Sequence, residues 1–247
     1  MRPLKYYLIL ISIYVFFAAC QRHYLPQHLT HSGYEIAQNV SADTTLYNML
    51  KPYRDSLAHS MNDELGVLSE DLKKALPDGT LGNFIADAYL GMARTRYNKE
   101  AQMAFMNHGG IRLNSIPAGK IKRGTIYEVM PFDNQMVIME VQGRILKNYL
   151  DIIAKDGGGG VAGIRFTIKD RKAVSIEIGG KPLEDEKMYI MVNSDYVVNG
   201  GGGFNGFRDL PQNRPGYLLR DAIIDYCLSF RNAGRDINIS NEKRITK

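Results

Sequence analysis

The chain has 247 residues, 45% of them hydrophobic and 23% charged, which excludes the disordered and fibrous classes and suits one large domain or two small ones. The formal charge of +5 comes from scattered Lys and Arg with no dense basic tract, so nucleic acid is not indicated as a partner.

Arg2 and Lys5 form a charged start, and Tyr7 to Ala19 is an apolar run ending in small residues. It falls short of the about 20 apolar residues that a membrane-spanning helix needs, and reads as a secretory signal. Phe17-Ala18-Ala19-Cys20 resembles a bacterial lipobox, in which small residues precede a cysteine that is lipidated and becomes the mature N-terminus. Residues 1–19 are therefore expected to be a lipoprotein signal peptide and Cys20 the lipidation site. The implied protein is exported and lipid-anchored to a bacterial membrane. Gln21-Arg22-His23 carries no acidic surface-export signature, which favours the periplasmic side. Removal of Arg2 and Lys5 would lower the net charge to 5 − 2 = +3. Acylation of Cys20 would leave Cys227 alone in an apolar helical stretch, where a small buried hydrophobe is the expected role.

Residues 20–43 are polar, lack hydrophobic periodicity and read as a tether. His28 and His31 stand there at metal-ligand spacing, but a solvated tether is the expected setting for both. Residues 44–247 read as one folded domain with a leading helix. From Thr44 to Met61, apolar residues recur at helical spacing behind Asp43 or Thr44 as an N-cap. Glu64–Leu72 reads as a strand, Thr80–Tyr97 as an amphipathic helix and Ala101–Met106 as a short strand running into a glycine-containing turn, 107–112. Thr125–Met130 reads as a helix, Gln135–Gln142 as a strand and Ile145–Ala154 as a helix. Gly157 to Gly160 breaks the chain; Gly163–Lys169, Ala173–Ile178 and Met188–Asn193 follow as strands. Asn199 to Phe204 is a second glycine cluster, and Gly216–Phe230 the last long helix. The hairpin-like stretch 173–193 argues for mixed sheets and an α+β class.

The two glycine turns are the strongest local signals, because glycine lets a ligand approach the main chain. Asn107 and Arg112 bring an amide and a guanidinium able to meet phosphate or ribose oxygens and a base edge. Pro131-Phe132-Asp133-Asn134 adds an aromatic ring, and Asp195-Tyr196 another, together a plausible clamp for a planar, anionic ligand.

Leu81-Gly82-Asn83-Phe84-Ile85-Ala86-Asp87-Ala88 resembles the helix-start motif of the 5′-nucleotidase C-terminal domain. Asn107 to Arg112 resembles its N-G-G-G-I-R loop, Gly119 to Phe132 the stretch leading into its first base-stacking phenylalanine, and Tyr196 to Phe204 its second aromatic followed by G-G-D-G-F. The resemblance implies a four-layer α/β/β/α domain that clamps a base between two aromatics while a separate metallophosphoesterase domain attacks the phosphate. It assigns Phe132 and Tyr196 to the base sandwich, Arg112 to phosphate or ribose oxygens and Asn107 to a polar contact with the nucleoside. Asn83 and Asp87 are expected to brace their helix, and Phe204 to be core. The sequence departs from the family at His108, which replaces a glycine, and at Tyr196, where phenylalanine is usual. Gly202 stands where the family has the aspartate that holds the ribose hydroxyls. An upstream family arginine has only Lys73 and Lys74 near its position.

A two-metal phosphatase needs many His, Asp and Asn ligands to hold cations about 3.5 to 4 Å apart. The five histidines are His23, His28, His31, His59 and His108, and no D-x-H, G-N-H-[DE] or G-H-x-H pattern occurs. The expectation is therefore a chain with no metal site and no cofactor of its own, any divalent metals belonging to a separately encoded metallophosphatase partner. The expected ligand is a nucleotide or nucleoside, and the expected role the substrate-binding half of a hydrolase in extracytoplasmic nucleotide catabolism. A binding lipoprotein without hydrolysis, or an interaction protein with a degenerate site, are the alternatives.

Overall fold

The computed structural model describes residues 43–247, together with Ser32, Gly33 and Ser41. The expected signal segment, Cys20, most of the expected tether and His23, His28 and His31 lie outside the described residues. The chain divides into two compact units between Asn48 and Met49. That division falls inside the first helix, α1 (Thr44–Met61), whose bounds are those expected. Its start is capped as the sequence suggested: Asp43 Oδ1 accepts the backbone N–H groups of Thr45 at 2.9 Å and Leu46 at 3.1 Å.

In the unit Met49–Lys247, short strands β1 (Glu64–Leu68) and β2 (Leu72–Lys73) precede α2 (Thr80–Arg96), β3 (Met103–Met106) and a 3₁₀ turn at His108–Gly110. Then come β4 (Ser115–Ile116), β5 (Gly119–Lys122), α3 (Arg123–Val129), β6 (Met136–Gln142) and α4 (Gly143–Lys155). Strands β7 (Gly160–Ala162), β8 (Ile164–Lys169), β9 (Lys172–Ile178), β10 (Lys181–Pro182) and β11 (Met188–Ser194) follow. The chain ends with α5 (Asp195–Val198), a 3₁₀ turn at Gly201–Gly203, α6 (Leu219–Asn232) and β12 (Ile245–Thr246).

The central sheet runs β6-β11-β3-β7, parallel only between β11 and β3. A second sheet runs β10-β9-β8-β12, with β12 parallel to β8. Alternation along the central strands sends successive side chains into two separate cores. Ala104 and Met106 of β3, Ile138 of β6 and Val192 of β11 join α2, α3 and α6 on one face. Met103 and Phe105, Val137 and Met139, and Met191 join α4 and the second sheet on the other. The class is thus α+β with mixed sheets, as the α/β/β/α expectation required.

The start of α2 meets β7 almost backbone to backbone, since a Cβ on Gly160 would lie 2.3 Å from the Gly82 carbonyl oxygen. Asn83 fixes that crossing, donating to Asp78 Oδ1 at 2.7 Å and accepting the Val161 N–H at 3.1 Å. Asp87 forms a forked ion pair with Arg244 at 2.7 and 2.8 Å. Both side chains brace α2, as expected. Cys227 is buried, and burial pushes its thiol up to about 12, so it stays protonated and inert. Phe204 packs against the second core, 4.6 Å from the Phe207 ring centroid.

Among the elements that differ from expectation, two show the cause in their backbone hydrogen bonds. The strand read at 64–72 breaks after Leu68, because Ser69 donates its N–H to Ile237 of the C-terminal segment at 3.1 Å. The last helix begins at Leu219, not Gly216: Gly216 takes φ +72°, and the Tyr217 carbonyl accepts the Met136 N–H at 2.8 Å, so residues 216–218 serve β6.

Candidate ligand-binding site

Three turns converge on one cleft. β3 delivers Asn107 to the head of the first 3₁₀ turn, where Gly110 N–H closes onto the Asn107 carbonyl at 3.0 Å. A Cβ on Gly110 would lie 3.0 Å from Asn107 Oδ1 and 2.8 Å from Met106 Cε, so glycine leaves the amide its place. Arg112 is exposed, its backbone N–H tied to Val129 at 3.0 Å. Beneath the turn, Lys74 Nζ donates to the Ile111 carbonyl at 2.8 Å. Partial burial, and then the Lys74 charge, hold the His108 imidazole below its usual range.

The second turn follows α3. It carries Phe132, packed in part against the first core, with the Arg112 guanidinium carbon 4.9 Å from its ring centroid, a cation–π distance. The third follows β11, where Ser194 Oγ accepts the Val197 N–H at 3.2 Å and starts α5. Tyr196 there is 52% exposed. Its ring lies on Gly201, where a Cβ would come within 2.5 Å of the ring carbons, so this pose requires a glycine.

Asn107, Arg112, Phe132 and Tyr196 all line this cleft, whose volume is about 270 Å³. That is near the lower end for small-molecule sites. Asn134, Ser194 and the buried Tyr89 line it too, and none was singled out from sequence. Asn134 lies two residues after Phe132 in the same turn, and that proximity to a proposed stacking ring was the signal available. Tyr89 reaches Met106 Sδ at 3.5 Å, and burial raises its phenol well above the usual range, which keeps it neutral.

A hollow of about 340 Å³ adjoins, sharing Asn107 and Tyr196 and adding His108, Asp156 and Gly202. Gly202 takes φ +77°, and no heavy atom lies within 4 Å of where its Cβ would be. His108 and the position of the missing aspartate therefore face one space. The whole arrangement can take a planar ring against two aromatics, offer amides to its edge and a guanidinium to an anionic group. Among the described residues, no three His, Cys, Asp or Glu side chains group closely enough to hold a metal ion. No described helix is long and apolar enough to cross a membrane.

Fold and cleft define an α+β domain with an aromatic-walled, arginine-bearing site between loops. The chain belongs to the 5′-nucleotidase C-terminal domain family, whose model matches residues 57–209. It is 30% identical over 193 residues to a 5′-nucleotidase of Vibrio vulnificus, covering 74% of this chain and 33% of that protein. It is 33% identical over 194 residues to the UshA protein of Escherichia coli, covering 74% and 32%. The crystal structure of a 5′-nucleotidase precursor from Thermus thermophilus is similar at TM-score 0.71 and 26% identity, over 82% of this chain and 43% of that one. The chain thus spans about a third of the length of the curated relatives it matches.

Proposed function

We propose that this chain is the nucleotide-binding half of a 5′-nucleotidase-type hydrolase of extracytoplasmic nucleotide catabolism, completed by a separately encoded metallophosphatase. The observation that carries the reading is the convergence of Phe132, Tyr196, Arg112 and Asn107 on one cleft. The two rings stack the base, the amides of Asn107 and Asn134 meet polar edges, and Arg112 takes a phosphate or ribose oxygen. The lipobox-like sequence ending at Cys20 supports a lipid anchor that holds the domain at a bacterial membrane, facing the periplasm. Calorimetric titration with AMP and adenosine, with and without divalent metal, tests the binding reading. Saturable binding is expected. Absence of binding by folded protein would favour an interaction protein with a degenerate site.

The described residues lack a ligand set for two cations, so the purified chain alone is expected to hydrolyse AMP negligibly at any divalent metal concentration. Phosphate release checks this: robust metal-dependent turnover by protein shown free of contaminating phosphatase would overturn the division of labour.

Gly202 supplies a third test. Aspartate tolerates left-handed backbone better than most residues, and the space at Gly202 is open. Gly202→Asp is expected to raise affinity for adenosine over 2′,3′-dideoxyadenosine, by about tenfold if the new carboxylate takes the ribose hydroxyls as a charged acceptor. Equal affinity of the variant for both nucleosides would count against a ribose seated beside Gly202.

A further inference from the structure

We propose that Arg220 is a positioning residue of the cleft: from the first turn of α6 it grips the 131–134 turn and fixes the Phe132 ring that faces the base. The proposal rests on the nucleotide-binding reading above for its ligand, but the brace itself is visible without one. Arg220 is 8% exposed and is the charged member of the buried polar side chains among the described residues. Its Nη2 donates to Asp133 Oδ1 at 2.6 Å and its Nη1 to the Phe132 carbonyl at 3.2 Å. Its guanidinium carbon lies 4.2 Å from the Tyr127 ring centroid on α3. The preceding residue extends the grip, since Leu219 N–H donates to the Asn134 carbonyl at 2.9 Å. Residues 219 and 220 thereby hold three successive residues, of which Phe132 and Asn134 line the cleft.

As a stabilising device the arrangement is poor. The Asp133 side chain is 79% exposed, which screens the pair, and Arg220 Nε is buried without a partner. What it supplies is geometry. A planar guanidinium that donates to two adjacent residues and rests on an aromatic face fixes the direction of the turn in a way a single ammonium would not. The two walls of the cleft consequently differ in kind. Phe132 is clamped through its own backbone, whereas the Tyr196 ring rests on Gly201 and half of it faces solvent.

The chain contains no tryptophan, so Phe132→Trp places a single indole at the cleft wall. In the full chain, that indole is compared alone, with Arg220→Met, which keeps a packed stem on Tyr127, and with Asp133→Asn, an exposed change. The readouts are nanosecond anisotropy decay without ligand, melting temperature, and quenching on titration with adenosine. Expected are an enlarged sub-nanosecond depolarisation in Arg220→Met and about tenfold weaker adenosine binding, with a smaller shift of the same sign in Asp133→Asn at unchanged melting temperature. A merely structural arginine would lower the melting temperature and leave the indole of the folded protein as restricted as before, which overturns the proposal. If Arg220→Met does not fold, Asp133→Asn decides on the same criterion. Loosening of the indole with no adenosine binding to any form, parent chain included, leaves the brace standing and removes the nucleotide reading instead.

Discussion

Replacing Phe132 or Tyr196 with Ala is expected to weaken adenosine and AMP alike, by about 1 to 3 kcal/mol, because stacking on a ring face does not depend on the phosphate. Arg112→Ala is expected to cost about 1.5 to 3 kcal/mol through loss of a charge-assisted contact, and more for AMP than for adenosine if the guanidinium meets the phosphate. The Arg112 guanidinium lies 4.9 Å from the Phe132 ring, so the two losses are not independent. The double substitution should cost less than the sum of the singles. Calorimetry with both ligands separates these contributions, provided circular dichroism shows each variant folded. If all three variants bind as the parent does, the cleft is not the nucleotide site.

The largest effect on stability is expected at Arg244. Its guanidinium forks onto Asp87 and donates to the Val161 carbonyl at 2.6 Å, and its backbone N–H meets Asp78 at 3.0 Å. Side-chain exposures of 10% for Arg244 and 30% for Asp87 make this the least solvated of the ion pairs around α2. Removing one partner of such a pair strands the other charge, and Arg244→Ala is expected to cost about 3 to 5 kcal/mol in denaturant unfolding at neutral pH. Burial, which outweighs the Arg244 guanidinium, already holds the Asp87 carboxyl above its usual range. Without the arginine it rises further. The folded variant then binds a proton more readily than the unfolded chain, so as pH falls through that folded value the variant gains stability relative to pH 7. The deficit against the parent should therefore shrink in mild acid. A loss under about 1 kcal/mol at neutral pH, or a deficit that grows in acid, would contradict this account.

Long elements with strong periodicity were legible. The apolar spacing from Leu46 to Met61 behind Asp43 marked α1 to the residue, and the runs in 80–97 and 188–193 marked α2 and β11 to within a residue. Strands β4, β7 and β12 are two or three residues long and carry no alternation, since a distant partner alone makes them strands. The break at Ser69 and the late start of α6 have the same origin: Ile237 and Met136 claim backbone groups that local propensity would have assigned otherwise. At the cleft, the glycine turns and the two aromatics could be read from motif resemblance. Asn134 and Arg220 could not. An amide inside a turn has no periodic signature, and an arginine in the first turn of an amphipathic helix reads as solvated until the packing shows it 8% exposed.

The C-terminal segment closes what the beginning of the domain opens. Ile237 N–H donates to the Val67 carbonyl at 2.8 Å, Ser69 Oγ donates back across 168 positions, and β12 adds the last strand beside β8. A ribosome makes these partners after the strands they fasten. The edge of β1, the second sheet and the Asp87 latch must wait for residues 237–246, which gives the domain long-range closure and delays its completion. For a chain exported as proposed above, lateness of this kind is an asset: a polypeptide that threads a translocation channel has to remain unfolded until it is through, and this one lacks its own fastening until the segment from Ile237 onward arrives.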